Sequence, residues 1–271
     1  MPISLLVLTD FHQPANRALN YAASLAGAIG AGLVLLHVRR DSALDPERLT
    51  GKLSGRSREA VDLALGTLTS NRAVPAVAEV GHGRVADAVA EAIGHHHPAL
   101  VVLGLSDTGS TPDDLVSATA LDLLRAAPYP MLVIPHDAPA PVVPRRVLLA
   151  VDGENFTLGA HTVLVRAFFT ALRAQFTVLH VYSCDTEVED AAARESVART
   201  GLTAGLTPVT TRNAMSADPA EGILAVAATG PYDLIALIAR PRSFWGELFE
   251  HSVTVQVLLS SRLPVLVLPA Q

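Results

Sequence analysis

Cysteine is almost missing from this chain of 271 residues: Cys184 stands alone. One thiol excludes an intrachain disulfide framework and fits a reducing compartment. Cys184 has no evident partner, and nothing around it suggests a catalytic thiol. Aromatic residues are scarce, at 4%, so any core must be built from Ala, Val and Leu. Basic charge is also short. Twenty Lys and Arg face 26 Asp and Glu, for a net charge of −6. A nucleic-acid partner needs a basic face to neutralise phosphates, so that class is excluded. A small anion is not, because one local loop can bind phosphate in an acidic protein. The opening MPISLLVLTD has no basic segment and reaches Asp10 too early for a signal peptide, which points to the cytoplasm. A membrane span is missing too. Ala18 to Val38 is uncharged, but Gly27, Gly30 and Gly32 interrupt it and its apolar period changes from helical to strand-like midway. A helix, a turn and a buried strand account for it better than a span of about 20 apolar residues.

What the chain does have is the same pattern twice. Residues 2–135 and 145–269 each open on an apolar strand ending in Asp, ISLLVLTD to Asp10 and RRVLLAVD to Asp152. Each then runs through a helix to a strand ending His-Val, at His37 and His180. Asp to His spans 27 residues in the first copy and 28 in the second. Each copy closes on a strand flanked by prolines, PMLVIP (130–135) and PVLVLP (264–269). At about 135 residues, a copy is large enough to be a domain rather than a solenoid module. The apolar content of 50% against 17% charged residues suffices for two cores. Prolines 139, 141 and 144 can continue neither a helix nor a central strand. The expected division is therefore residues 1–137, a linker at 138–145, and residues 146–271.

In the first copy the pattern predicts strands at 3–9, 32–38, 75–80, 99–104 and 130–135, with helices near 14–29, 46–70, 84–96 and 113–127. In the second it predicts strands near 146–151, 175–182, 207–212, 232–238 and 264–268, with helices near 157–173, 186–204, 218–229 and 247–260. Short, wholly apolar strands such as VVLG and LIALI belong to parallel sheets covered on both faces. Alternating strand and helix gives a doubly wound α/β sheet in each copy. Ligands of such sheets sit beyond the carboxyl ends of the strands, where strand order reverses. That selects Thr9, Asp10, Gly104 and the following loop, and Val151, Asp152, Ala239 and theirs.

Taken together, VLTD (7–10), LHV (36–38), LVVLG (100–104) and PYPMLVIP (128–135) resemble the universal stress protein family. LLAVDG (148–153), LHV (179–181), YDLIALIA (232–239), HSVT (251–254) and LPVLVLP (263–269) repeat the resemblance, which covers nearly the whole chain. It implies two tandem five-stranded parallel sheets, flavodoxin-like or adenine-nucleotide-hydrolase-like, packed as a pseudo-dimer through their last strands. It also implies a cytoplasmic stress-response binding or regulatory module rather than an enzyme, with self-association and unidentified protein partners. Nucleotide-binding members carry Gly-x2-Gly-x9-Gly-Ser/Thr after the fourth strand, where glycines let backbone N–H groups reach phosphates. The first copy keeps Gly104 but has Asp107 and Val116 at the other glycine positions before Ser117. The second has Ala239, Arg242 and His251 before Ser252. Both loops run 13 residues from first position to serine, one shorter than in binders.

The resemblance makes Asp10 and Asp152 the counterparts of an Asp near adenine, and Val38 and Val181 the counterparts of a base-lining residue. The candidate nucleotide residues are thus Thr9, Asp10, Val38, Gly104 and Ser117, then Asp152, Val181, Arg240, Arg242 and Ser252, with ATP or AMP as the ligand. Arg240 and Arg242 could recruit an anion without glycines. The alternative is that each Asp caps the next helix and each Val is core.

Other signals are weaker. Gly81-His-Gly83-Arg-Val-Ala86 resembles a dinucleotide fingerprint but follows the third strand, not the first, and reads better as a turn. His95, His96 and His97 diverge around a helix end and suit a stop better than a metal site. His37 and His180 end strands. Ser117 and Ser252 open helices with no base near in sequence, so no catalytic residue is assigned. Phe244, Trp245 and Phe249 could form an interaction patch or plug the phosphate position.

Overall fold

The computed structural model describes residues 3–39, 54–70, 73–105, 115–126, 128–183, 190–206, 208–240 and 252–270. In the first copy the strands are β1 (Ser4–Leu8), β2 (Gly32–Arg39), β3 (Ala76–His82), β4 (Leu100–Gly104) and β5 (Met131–Ile134). Its helices are α1 (Gln13–Ile29), α2 (Ser54–Ser70), α3 (Val85–His96) and α4 (Leu115–Ala126). The second copy follows with β6 (Arg146–Val151), α5 (His161–Leu172), β7 (Gln175–Tyr182), α6 (Asp190–Thr200) and β8 (Val209–Met215). It closes with α7 (Pro219–Thr229), β9 (Leu234–Ala239), α8 (Val253–Ser260) and β10 (Val265–Pro269).

The two five-stranded sheets join into one, in the order β3-β2-β1-β4-β5-β10-β9-β6-β7-β8. Every pairing is parallel except β5 with β10, which is antiparallel. In that pairing Leu132, third residue of PMLVIP, lies opposite Leu266, third residue of PVLVLP. A residue paired antiparallel with its own repeat equivalent marks a pseudo-twofold axis, so the dyad passes between these two leucines.

Alternate strand residues feed two cores, because successive side chains point to opposite faces. Leu5, Val7, Leu132 and Leu266 pack with α1, α2, α5 and α6, and Leu6, Leu148, Val133 and Val267 with α3, α4, α7 and α8. Each core draws residues from both copies, so no gap separates the halves on either face. The uncharged stretch from Ala18 to Val38 divides as expected. Helix α1 ends at Gly30, whose left-handed φ of 67° lets its N–H cap Ala26 O, and β2 begins at Gly32. Among the described residues no helix is long and apolar enough to cross a membrane.

Four elements depart from the sequence reading. Helix α6 stops at Thr200, not near 204, because Gly201 takes a left-handed φ of 69°. Helix α5 begins at His161, not near 157. Phe156 and Leu158, two residues apart, are both drawn into the first core, which holds that segment out of a helix. Strand β3 runs on to His82 because β2 extends far enough to pair with it, Val38 with Gly81 and Arg39 with His82. Strand β8 runs to Met215 for the same reason, opposite Tyr182 of β7.

Side chains also tie the halves. Tyr21 on α1 is buried, and its hydroxyl pKa is raised, first by burial and then by the negative charge of Asp233 in the second copy. Burial alone would push Asp233 up. Hydrogen bonds from the Arg146 side chain and from the N–H groups of Arg146 and Arg145 outweigh it and hold the carboxylate low. His161, first residue of α5, meets the Tyr129 ring edge-on at 4.7 Å. Tyr129 donates its hydroxyl to Pro98 O.

Because the cores are shared, the two copies should unfold together. Urea unfolding followed by circular dichroism is expected to show one transition, and Leu266→Ala to lower stability by roughly 2–5 kcal/mol. Two separable transitions would contradict the shared core. A second expectation concerns pH. Desolvation lowers the His161 pKa, although a hydrogen bond with the Pro128 backbone works in the opposite direction. The unfolded chain, near 6.5 at this residue, therefore takes up the proton first. Stability is complete above about pH 6.5 and declines as pH falls through the folded value. His161→Gln should reduce the fall in melting temperature between about pH 7 and 5.5.

Candidate functional site

The carboxyl ends of β2, β1 and β4 lie side by side, and so do those of β7, β6 and β9. Strand order reverses at β1/β4 in the first copy and at β6/β9 in the second, where open α/β sheets form their crevices. Thr9, Asp10, Val38 and Gly104 are thereby brought to one end of the first copy, and Asp152, Val181 and Arg240 to the same end of the second. Ser117 lies in the first turn of α4, with its side chain outside the described part. Arg242, the loops 106–114 and 241–251 with their aromatic cluster, and Cys184 also lie outside the described residues.

In the first copy Thr9 is buried, and its N–H donates to Leu36 O at 2.9 Å. Its hydroxyl accepts from Phe11 N at 3.2 Å. The Asp10 carboxylate is exposed, and Oδ1 accepts from His12 N at 2.9 Å, an Asx turn. Asp10 is not the cap of α1: that position is His12, which makes no side-chain cap bond. Phe11, which no sequence signal singled out, carries a left-handed φ of 64°. Such a backbone costs a non-glycine residue about 1–2 kcal/mol. The Phe11 ring lies 4.7 Å from that of His37 and packs on the first core. His37 Nδ1 is 2.9 Å from Thr9 O, and because a carbonyl only accepts, Nδ1 carries the proton.

Gly104 is required by packing. A Cβ there would sit 2.1 Å from the Pro14 carbonyl oxygen at the start of α1. The space beside this glycine is filled by helix backbone, and Arg17 of α1 reinforces the contact by donating to Pro135 O at 3.1 Å and Leu105 O at 3.4 Å.

In the second copy Gly153 takes the left-handed position with φ 80°, where the first copy strains Phe11. Asp152 again makes an Asx turn, accepting from Glu154 N at 3.0 Å, and again caps no helix, since the cap position of α5 is Ala160. The difference is Arg240. From the end of β9 its Nε reaches Asp152 Oδ2 and its Nη2 reaches Asp152 Oδ1, both at 2.7 Å. Nη2 also donates to Glu154 O and Nη1 to Asn155 O, both at 3.0 Å. The Glu154 carboxylate lies 3.8 Å from Nη1. The Arg240 side chain is only 14% exposed, and its pKa is raised, first by the hydrogen bonds to Asp152. Arg240, one of the two cations that the sequence offered as anion recruiters, is therefore committed to its own chain. Arg199 of α6 also holds this loop, donating to Asn155 Oδ1 at 2.9 Å. His180 Nδ1 is buried and has no hydrogen-bond partner among the described residues, unlike His37.

A model of the universal stress protein family matches residues 4–135 and again 144–269. The chain belongs to the universal stress protein family. A universal stress protein from Archaeoglobus fulgidus DSM 4304 is similar over 98% of both chains, with 17% identity and a TM-score of 0.73. A functionally unknown protein from Pseudomonas aeruginosa PAO1 is similar over 98% of this chain and 92% of its own, with 19% identity and a TM-score of 0.57. Both likenesses establish the tandem fold. A universal stress protein in complex with cAMP covers 49% of this chain at 19% identity and a TM-score of 0.35, and the cAMP is a property of that protein. No curated protein sequence matches the chain.

The remaining motifs of this tandem family member resolve into local structure. Ser252 caps α8, its Oγ accepting from Val255 N at 3.2 Å. Val38 and Val181 are part-buried against the second core, and Val181 fills the space a side chain at Gly222 would need. Gly83, with φ 85°, makes the turn into α3, while Gly81 stays in β3, where a Cβ would meet that of Ala88 at 2.6 Å. Helix α3 stops at His96 with His97 left-handed, and His95 and His96 both contact Glu79 of β3, at 3.3 and 2.6 Å. Among the described residues no three His, Cys, Asp or Glu groups meet in a metal-holding arrangement.

If Gly104 serves the α1 contact, Gly104→Ala should cost at least roughly 1–3 kcal/mol by overpacking. Chemical denaturation checks this, and an unchanged midpoint would remove the packing role.

Proposed function

We propose that this protein is a cytoplasmic stress-response binding or regulatory module rather than an enzyme, with a degenerate nucleotide site. The observation that carries the reading is the Arg240–Asp152 clasp. It spans the crevice of the second copy with the Asp that, by resemblance, would lie near a base, and it draws on carbonyls from the same loop. The first copy lacks two of the three glycines that binders use, with Asp107 and Val116 in their place. Nothing at either crevice pairs a nucleophile with a base among the described residues. The Ser252 hydroxyl is used as a helix cap and His37 Nδ1 is held on a carbonyl. Protein partners and self-association through outer surfaces complete the proposal.

A second reading, an ATP or AMP sensor using the first copy with slow hydrolysis at most, is favoured by one observation. The Asp10 carboxylate is exposed, and its one hydrogen bond among the described residues comes from His12 N. The freshly purified protein, denatured and analysed by ion-exchange chromatography, should release no stoichiometric adenine nucleotide. Calorimetric titration with ATP and AMP should show a Kd weaker than about 1 mM. Stoichiometric nucleotide that disappears in Asp10→Ala would replace the first reading with the sensor.

A further inference from the structure

The two crevices have the same frame but differ in one side chain. At the end of β4 the residue after Gly104 is Leu105, buried in the second core. At the end of β9 the residue after Ala239 is Arg240, which turns across the reversal point to the end of β6. A bidentate guanidinium–carboxylate pair is among the stronger and most directional contacts a protein makes. Here the pair is supported by two carbonyl acceptors, shielded to 14% exposure on the Arg side, and backed by the Arg199 contact to Asn155. A ligand that uses Asp152 must therefore displace a preformed partner and leave a charged, mostly buried guanidinium to be re-solvated. No comparable side chain crosses to Asp10 among the described residues.

We infer that Arg240 is a specificity-determining residue that closes the second crevice to adenine nucleotides, acting as a built-in occupant of Asp152. This rests on the reading of that crevice as a degenerate nucleotide site, and it locates the closure in one side chain rather than in the loss of loop glycines alone. It also makes the tandem chain functionally one-sided: whatever the first copy can bind, the second is barred from binding while Arg240 is in place.

The test uses the full chain as wild type, D10A, R240Q and D10A/R240Q, with Asp152→Asn added to D10A and to D10A/R240Q. Glutamine keeps part of the side-chain stem and removes the charge, so the fold is expected to survive, with melting temperature as the control. R240A serves as the second variant if R240Q is poorly folded. The probe is AMP, measured by calorimetry and equilibrium dialysis. D10A/R240Q should bind one more equivalent of AMP per chain than D10A, and adding Asp152→Asn should abolish the gain. Equal binding by D10A and D10A/R240Q overturns the inference, and so does a site in D10A that depends on Asp152 while Arg240 is intact. Failure of the first-copy sensor reading is a separate result, visible as no difference between wild type and D10A.

Discussion

The pairing of β5 with β10 is the constraint on which the rest of the molecule depends. Among the described strands it is the one antiparallel contact in a sheet of otherwise parallel pairings, and it joins each last strand to its own repeat equivalent across Leu132 and Leu266. An isolated copy would present β5 or β10 as an unpaired apolar edge, a liability for association. Joined, the strands leave only β3 and β8 at the rims, and these are the strands whose residues are most exposed. The antiparallel sense also fixes the symmetry: each copy is rotated about the dyad, and the two crevices lie at opposite ends of the strands, each two strands from the join.

That symmetry makes the chemical asymmetry informative. Both copies place an Asp after the first strand in an Asx turn, a left-handed residue after it, and a His at the end of the second strand. One copy uses Phe for the left-handed residue and stacks it on a His anchored to a carbonyl. The other uses Gly, leaves its His nitrogen buried without a partner among the described residues, and clasps its Asp with Arg240. Two copies under the same backbone constraints have thus taken different side-chain solutions at the one position where the fold would put a ligand. The strained Phe11 and the orphaned His180 nitrogen both lie at the crevice ends of their strands, which suits the tendency of strain to collect at functional positions.

Much of the fold was legible. The repeat, the alternation of strand and helix, the proline-flanked closing strands and the glycine break at 30 led to two doubly wound halves, because each is a local signal. Apart from α6, which stops before the left-handed Gly201, the element ends that shifted did so where a neighbour intervened: Phe156 and Leu158 entering a core, β3 and β8 lengthened by pairing. The site was less legible. Position at strand ends could be read, but the partners could not. Asp10 and Asp152 were as compatible with helix caps as with ligands, and the Asx turns that exclude the caps are set by two-residue geometry after the strand. Phe11 gave no signal, since an αL residue is announced by Gly or Asn and here is neither.

By itself the sequence determined the two-copy plan, the apolar strands buried on both faces, and the family. Periodicity and local turn chemistry are written in neighbouring residues. Only the tertiary structure decided that the two sheets become one, that Gly104 yields its space to the Pro14 carbonyl, and that Arg240 belongs to Asp152, 88 positions away along the chain. Those facts depend on distances between segments that are far apart in sequence. A side chain's charge states what it can pair with; the adjacency of β6 and β9 at the strand-order reversal states what it does pair with.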